Sequence, residues 1–120
     1  RAIGGLETGD AVITTGGNLK AKHVIHTVGP VWRGGDNRER ELLTSAYRRS
    51  LEVADENSLH SVAFPSISTG AYRYPLDEAA GVALATVADY LEGEAGLRAV
   101  TFVLFSEDAL HAYENALGKL

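Results

Sequence analysis

The stretch Phe64-Pro-Ser-Ile-Ser-Thr-Gly-Ala-Tyr-Arg-Tyr-Pro75 holds the residues of this chain best suited to chemistry, and that chemistry is anion binding. Gly70 lets the backbone turn sharply, and Ser66, Ser68 and Thr69 carry hydroxyl donors. Peptide N–H groups ahead of a helix can converge on a phosphate without any lysine. Tyr72 adds a flat surface beside them. A plain strand-to-helix loop can have the same composition, so the surrounding elements have to decide between the two.

Other reactive side chains point to less. His23 and His26 are three apart on an extended segment, so they face opposite sides and cannot share a metal. His26 reads as a hydrogen-bonded core histidine. The loop serines lack both a Gly-x-Ser-x-Gly elbow and an evident base, which argues against nucleophilic catalysis. With no cysteine in 120 residues there is no disulfide framework, thiol nucleophile or cysteine zinc site, and the composition fits a reducing compartment, with the cytoplasm as the expected location. Trp32 either lines a cleft mouth or packs beneath its own loop, and Arg73 either touches a phosphate or is solvated between two tyrosines.

The elements that must position these residues follow from length and periodicity. A chain of 120 residues with 45% apolar composition makes a single domain. No stretch is long and apolar enough for a membrane span, and neither a membrane span nor a secretion signal is expected. A net charge of −5 argues against a broad electrostatic grip on nucleic acid, but not against a small anion held by backbone amides. Short runs rich in Val, Ile and Phe predict strands over Ala11 to Thr15, His23 to Val28, Ser61 to Pro65 and Ala99 to Phe105. Between the second and third, a helix capped by Asp36 or Asn37 runs to about Asn57. It buries Leu43, Tyr47, Leu51 and Ala54 and turns Glu39, Arg40, Arg48 and Glu52 to water. A second helix starts near Pro75, with Asp77 and Glu78 in its first turn, and ends at Gly93. Its apolar side is Ala79, Val82, Ala83, Val87, Tyr90 and Leu91. The last helix begins at Ser106 and buries Leu110, Tyr113 and Leu117.

Connection lengths predict the topology. Only Gly16 to Lys22 separate the first two strands, which makes them antiparallel, whereas the later connections are long enough for parallel crossovers. If the last three strands are parallel, Gly29 to Gly35, the Ser66 to Tyr72 loop and Phe105-Ser106 converge at one carboxyl edge. Thr14-Thr-Gly-Gly-Asn18 falls on the opposite edge and reads as a turn.

Taken together, Gly9-Asp-Ala-Val-Ile-Thr14, His23-Val-Ile-His-Thr-Val-Gly-Pro30 and Ala63-Phe-Pro-Ser-Ile-Ser-Thr-Gly-Ala-Tyr72, in that order and spacing, resemble the macro domain, in particular its MacroD-type branch. The resemblance covers the whole chain. It implies an α/β, three-layer fold with a mixed sheet and helices on both faces, of which about four strands and three helices belong to these residues. An ADP-ribose cleft is implied, with Ser66, Ile67, Ser68, Thr69, Gly70, Ala71 and Tyr72 around the diphosphate and distal ribose and Phe105 on the adenine. No cofactor or metal is implied; the expected partner is ADP-ribose or an ADP-ribosylated protein. Members of the family carry, ahead of the part that matches Arg1 to Thr8, a first strand, an Asn-Ala-Ala-Asn segment and a glycine-rich loop leading into a helix. The resemblance therefore implies an amino-terminally incomplete domain whose catalytic residues lie in that segment, supplied by a second chain if at all. MacroD-like enzymes release ADP-ribose from acidic side chains, or acetate from O-acetyl-ADP-ribose. The expectation for the complete protein is such a hydrolase and for this chain alone weak or no activity; the alternative is a non-catalytic reader of ADP-ribose.

Overall fold

In the computed structural model, the described residues are 6–15, 23–93 and 96–120. They form β1 (Ala11–Thr15), β2 (His23–Thr27), α1 (Glu39–Glu56), β3 (Ser61–Phe64), a single 3-10 turn (Gly70–Tyr72), α2 (Leu76–Glu92), β4 (Ala99–Phe102) and α3 (Glu107–Gly118). This is the α/β class, with four strands and three helices. The turn read at Thr14 to Asn18 lies, beyond Thr15, outside the described residues.

Strand pairing departs from the expectation in one respect. β1 and β2 are antiparallel, with Ala11 opposite Thr27, and β3 and β4 are parallel, with Phe64 opposite Phe102. Yet β2 and β3 are not neighbours: the strands form two separate two-stranded sheets. The crossover length between β2 and β3 permits a parallel orientation but does not require adjacency, so among the described residues the mixed sheet that the resemblance implies is in two parts. β4 also stops at Phe102, short of the expected Phe105; its last tie to β3 is the Val103 N–H donating to the Phe64 carbonyl at 2.8 Å.

Helix α1 holds the two sheets, packing against β1, β2, β3 and α2. Its Leu43, Tyr47, Leu51 and Ala54 are fully buried, as their spacing predicts. A large side chain so buried contributes about 1.5–3 kcal/mol. Phe64 and Phe102 stack at 5.9 Å between ring centroids, and Tyr47 of α1 meets Phe64 edge-on at 5.1 Å. From the far side of α2, Tyr113 of α3 reaches Phe102 at 5.0 Å.

Three helix faces differ from expectation; on α2, Leu91 of the expected apolar side is exposed. Glu39 is buried rather than turned to water. Arg38, in the left-handed conformation and without a side-chain cap, stands at the head of α1 where Asp36 or Asn37 was expected. The reason is that the Glu39 carboxylate reaches back and takes the N–H groups of Arg33, Gly35 and Asn37 at 2.6–3.1 Å. On α3, Tyr113 is buried as expected, but Leu110 and Leu117 are exposed, and Ala109 and Ala112 face inward in their place. Small side chains let α3 approach α2, and that rotates the leucines outward. Ser106 caps α3 as expected, its Oγ accepting from the Ala109 N–H at 3.1 Å.

Candidate functional site

The loop from Pro65 to Tyr74 leaves the end of β3 and is fixed from beneath by two tyrosines. Tyr113 donates its hydroxyl to Ser66 Oγ at 2.7 Å, and the Ile67 N–H donates to the Tyr47 hydroxyl at 3.0 Å. The two phenol oxygens lie 3.5 Å apart. Burial, reinforced by Tyr113, holds the Tyr47 hydroxyl well above the usual phenol range, so it stays protonated as a neutral partner. Sequence reasoning placed Tyr47 and Tyr113 in apolar stripes and missed this role. The available signal was that both are tyrosines rather than phenylalanines, and a buried phenol needs a partner.

Above the tyrosines the backbone winds through unusual conformations. Ser68 (φ 69°) and Gly70 (φ 73°) occupy the left-handed region, and Ser68, lacking glycine's freedom, is strained there. The loop closes on itself through Tyr74 N–H to the Ser68 carbonyl, Arg73 N–H to the Gly70 carbonyl and Thr69 Oγ1 to the Ser66 carbonyl, at 2.9–3.1 Å. Among the described residues, no hydrogen bond uses the N–H of Ser68, Gly70 or Ala71. These three donors, with the exposed Gly70, Ala71 and Tyr72 around them, suit an anion and bring no formal charge of their own.

A second segment closes one flank. The Trp32 N–H donates to the Tyr72 carbonyl at 2.8 Å, and the indole packs on Tyr74 at 4.8 Å and against Gly35. Trp32 thus packs beneath its loop. The Glu39 carboxylate gathers this segment, and burial opposes its ionisation. The N–H donors of Arg33, Asn37, Gly35 and Glu39 itself outweigh burial and bring its pKa to about 2. Glu39 was also missed; the signal was a carboxylate four residues after Gly34-Gly35 at a helix start. Gly29 lies so close to Ser68 and Ile67 that a Cβ there would collide with both side chains. Arg73 is exposed at the end of the 3-10 turn, in the solvated arrangement. His26 is hydrogen-bonded, to Thr14 Oγ1 at 2.9 Å, but half-buried rather than in the core.

The predicted residues Ser66 through Tyr72 therefore form one continuous loop, joined by Gly29 and Trp32. Phe105 stands apart. It is 88% exposed beyond the end of β4, and no hydrogen bond or aromatic contact ties it to the loop among the described residues.

The family model for the macro domain matches residues 1–83. The chain belongs to the macro domain family. A macro domain-containing protein of Caldanaerobacter subterraneus is 55% identical over 117 residues, covering 98% of this chain and 66% of that protein. An O-acetyl-ADP-ribose deacetylase of Citrobacter koseri is 55% identical over 109 residues, covering 91% of this chain and 62% of the relative. Among solved structures, a variant of the Oceanobacillus iheyensis macrodomain with ADPR superposes with a TM-score of 0.89 at 43% identity, covering 95% of this chain and 61% of that one. This macro domain thus spans about two thirds of the length of the curated relatives it matches. No helix among the described residues is long and apolar enough to cross a membrane.

Proposed function

We propose that this chain supplies the diphosphate-binding arm of an ADP-ribose site, with Ser66, Ile67, Ser68, Thr69, Gly70, Ala71 and Tyr72 around the diphosphate and distal ribose. The observation that carries the reading is the set of unused N–H groups at Ser68, Gly70 and Ala71 on a loop held rigid by Tyr47 and Tyr113. Donors fixed in advance need no reordering when the anion arrives. The macrodomain structure solved with ADPR and the O-acetyl-ADP-ribose deacetylase relative support the ligand class. Phe105, exposed near the same sheet edge, is free to cover the adenine.

The complete protein, in this reading, hydrolyses an ester of ADP-ribose, on acidic protein side chains or as the O-acetyl compound, in a cytoplasmic, reducing compartment that suits a chain without cysteine. The loop contributes binding and orientation rather than acid–base chemistry, because residues 65–74 contain neither carboxylate nor histidine. A non-catalytic reader uses the same arm and is favoured for these 120 residues taken alone. The acidic net charge sets nucleic acid aside as a partner.

Substitution of Gly70 tests the arm. A Cβ there meets open space, so bulk alone does little, and Gly70→Ala reports the left-handed strain, about 1–2 kcal/mol. Gly70→Glu adds a negative charge where the diphosphate sits. ADP-ribose titration followed by NMR is expected to shift the amides of residues 68–72 in the wild type and less strongly in Gly70→Ala. It is expected to leave them unmoved in Gly70→Glu, with far-UV circular dichroism preserved in all three. Equal affinity for Gly70→Glu and wild type would refute the assignment.

A further inference from the structure

Charge is spread unevenly around the anion loop, because two hydrogen bonds gather arginines from distant parts of the sequence onto its Trp32 flank. The Trp32 N–H on the Tyr72 carbonyl, at 2.8 Å, sets the chain at Arg33 beside the chain at Arg73. The Glu39 carboxylate, accepting from the Arg33 N–H at 2.8 Å, draws the same segment to the start of α1 and Arg40. Arg40 also lies near Tyr74: burial first, and then Glu78, hold the Tyr74 hydroxyl above the usual phenol range, and the charge of Arg40 opposes them. Arg33, Arg40 and Arg73 are all exposed, and among the described residues none of them enters an ion pair. Arg38, Arg48 and Arg49, by contrast, each hold a carboxylate. Glu39 does not compensate the three, because it is buried and its oxygens are taken up by N–H donors. Asp36 is the one exposed carboxylate between Arg33 and Arg40, and Asp77 and Glu78 bound the flank on the α2 side.

In a chain of net charge −5, positive groups without partners beside a binding loop point to a second anion rather than to an average surface. The first anion has its donors already, the N–H groups of Ser68, Gly70 and Ala71. Guanidinium forks match carboxylates in both geometry and charge. We infer that the flank of Arg33, Arg40 and Arg73 receives the side chains of an acidic polypeptide segment, the neighbours of the residue that carries ADP-ribose. This rests on the ADP-ribose reading above and adds a specificity surface to it. The loop takes the nucleotide common to every such substrate, and the flank selects carriers rich in Asp and Glu near the modified position. Exposed charge pairs act through encounter rate and are weakened by salt, and three of them are expected to add roughly tenfold in affinity at low ionic strength. Asp77 and Glu78 repel such a segment from α2, so it crosses the head of α1 instead.

The test uses ADP-ribose joined through its terminal ribose, as an oxime, to two aminooxy peptides, one with Glu around the attachment point and the other with Gln at the same places. Wild type is expected to bind the Glu conjugate roughly tenfold more tightly at low ionic strength, and the two alike at about 0.5 M salt. The triple variant Arg33→Gln, Arg40→Gln, Arg73→Gln is expected to bind the two conjugates alike at either salt. It is also expected to keep wild-type affinity for free ADP-ribose, since the hydrogen bonds these residues make run through their backbones. Equal affinity of wild type for the two conjugates at low salt overturns the proposal, and so does a preference for Glu that survives in the triple variant. Failure of free ADP-ribose to bind wild type sinks the loop reading instead. The flank is then read with hexaglutamate alone, which is expected to shift the amides of residues 33–40 and 73 in wild type and not in the triple variant; unmoved amides overturn the flank as well. A short single-stranded RNA of equal charge that shifts those amides at lower concentration than hexaglutamate overturns the choice of an acidic polypeptide.

Discussion

At the scale of single residues, Tyr47 and Tyr113 do unequal work for the anion loop. Tyr113→Phe removes one donor and leaves Ser66 Oγ, half-buried, able to turn to water. Tyr47→Phe removes the hydroxyl of a fully buried phenol and leaves the Ile67 N–H without its acceptor, and a donor left unpaired there costs about 1–3 kcal/mol against about 1 kcal/mol for an ordinary lost hydrogen bond. Urea denaturation of the two variants is therefore expected to rank Tyr47→Phe below Tyr113→Phe. Glu39 gives a pH signature instead. Its pKa falls from the ordinary 4.5 to about 2 on folding, so the stability it contributes is complete above the ordinary value and is lost as pH falls through the folded one. Thermal midpoints are expected to decline from about pH 5 toward pH 2 in the wild type, and Glu39→Gln is expected to flatten that decline. An unchanged slope would show that the carboxylate is not what holds the 33–37 segment.

Among the elements, α3 shows what periodicity conveys and where it stops. The spacing of Leu110, Tyr113 and Leu117 correctly marks a helix, and Ser106 correctly marks its start. Periodicity cannot choose between a leucine face and an adjacent alanine face when the neighbour is close, and the chain buries Ala109 and Ala112 against the core. The expected outcome is that Leu117→Ser changes stability by less than about 0.5 kcal/mol, whereas Ala112→Leu overpacks and costs about 1–3 kcal/mol, both read from denaturant midpoints. The same distinction runs through the fold. Strand and helix positions, the antiparallel first pair and the Ser66 to Tyr72 loop were legible, because composition and connection length govern them locally. The separation of β2 from β3 was not, since which strands become neighbours depends on everything that competes for an edge. Nor were the carboxylate at Glu39 and the phenol at Tyr47, whose partners are backbone groups, and every sequence has those. Phe105 was read as a strand end beside the loop; β4 releases the chain three residues earlier, and its ring is left in solvent.

For the molecule as a whole, the segment after β2 meets the β3 loop through the approach of Gly29 to Ser68 and Ile67 as well as through the Trp32 N–H bond to the Tyr72 carbonyl. Gly29 does not lie in the left-handed region, so its requirement is space alone. Gly29→Ala is expected to push the two sheets apart at that end and lower the unfolding free energy, read from denaturant titration, by about 1–3 kcal/mol, although alanine suits the local backbone. Trp32 has a consequence of another kind. It is the only tryptophan in the chain, and it sits against Tyr74 with its peptide bonded to Tyr72. The protein's intrinsic emission therefore carries a label already placed at the flank of the anion loop. Its wavelength and quenching report the state of that loop rather than an average over the fold, and no dye need be attached to watch the site fill or fall apart.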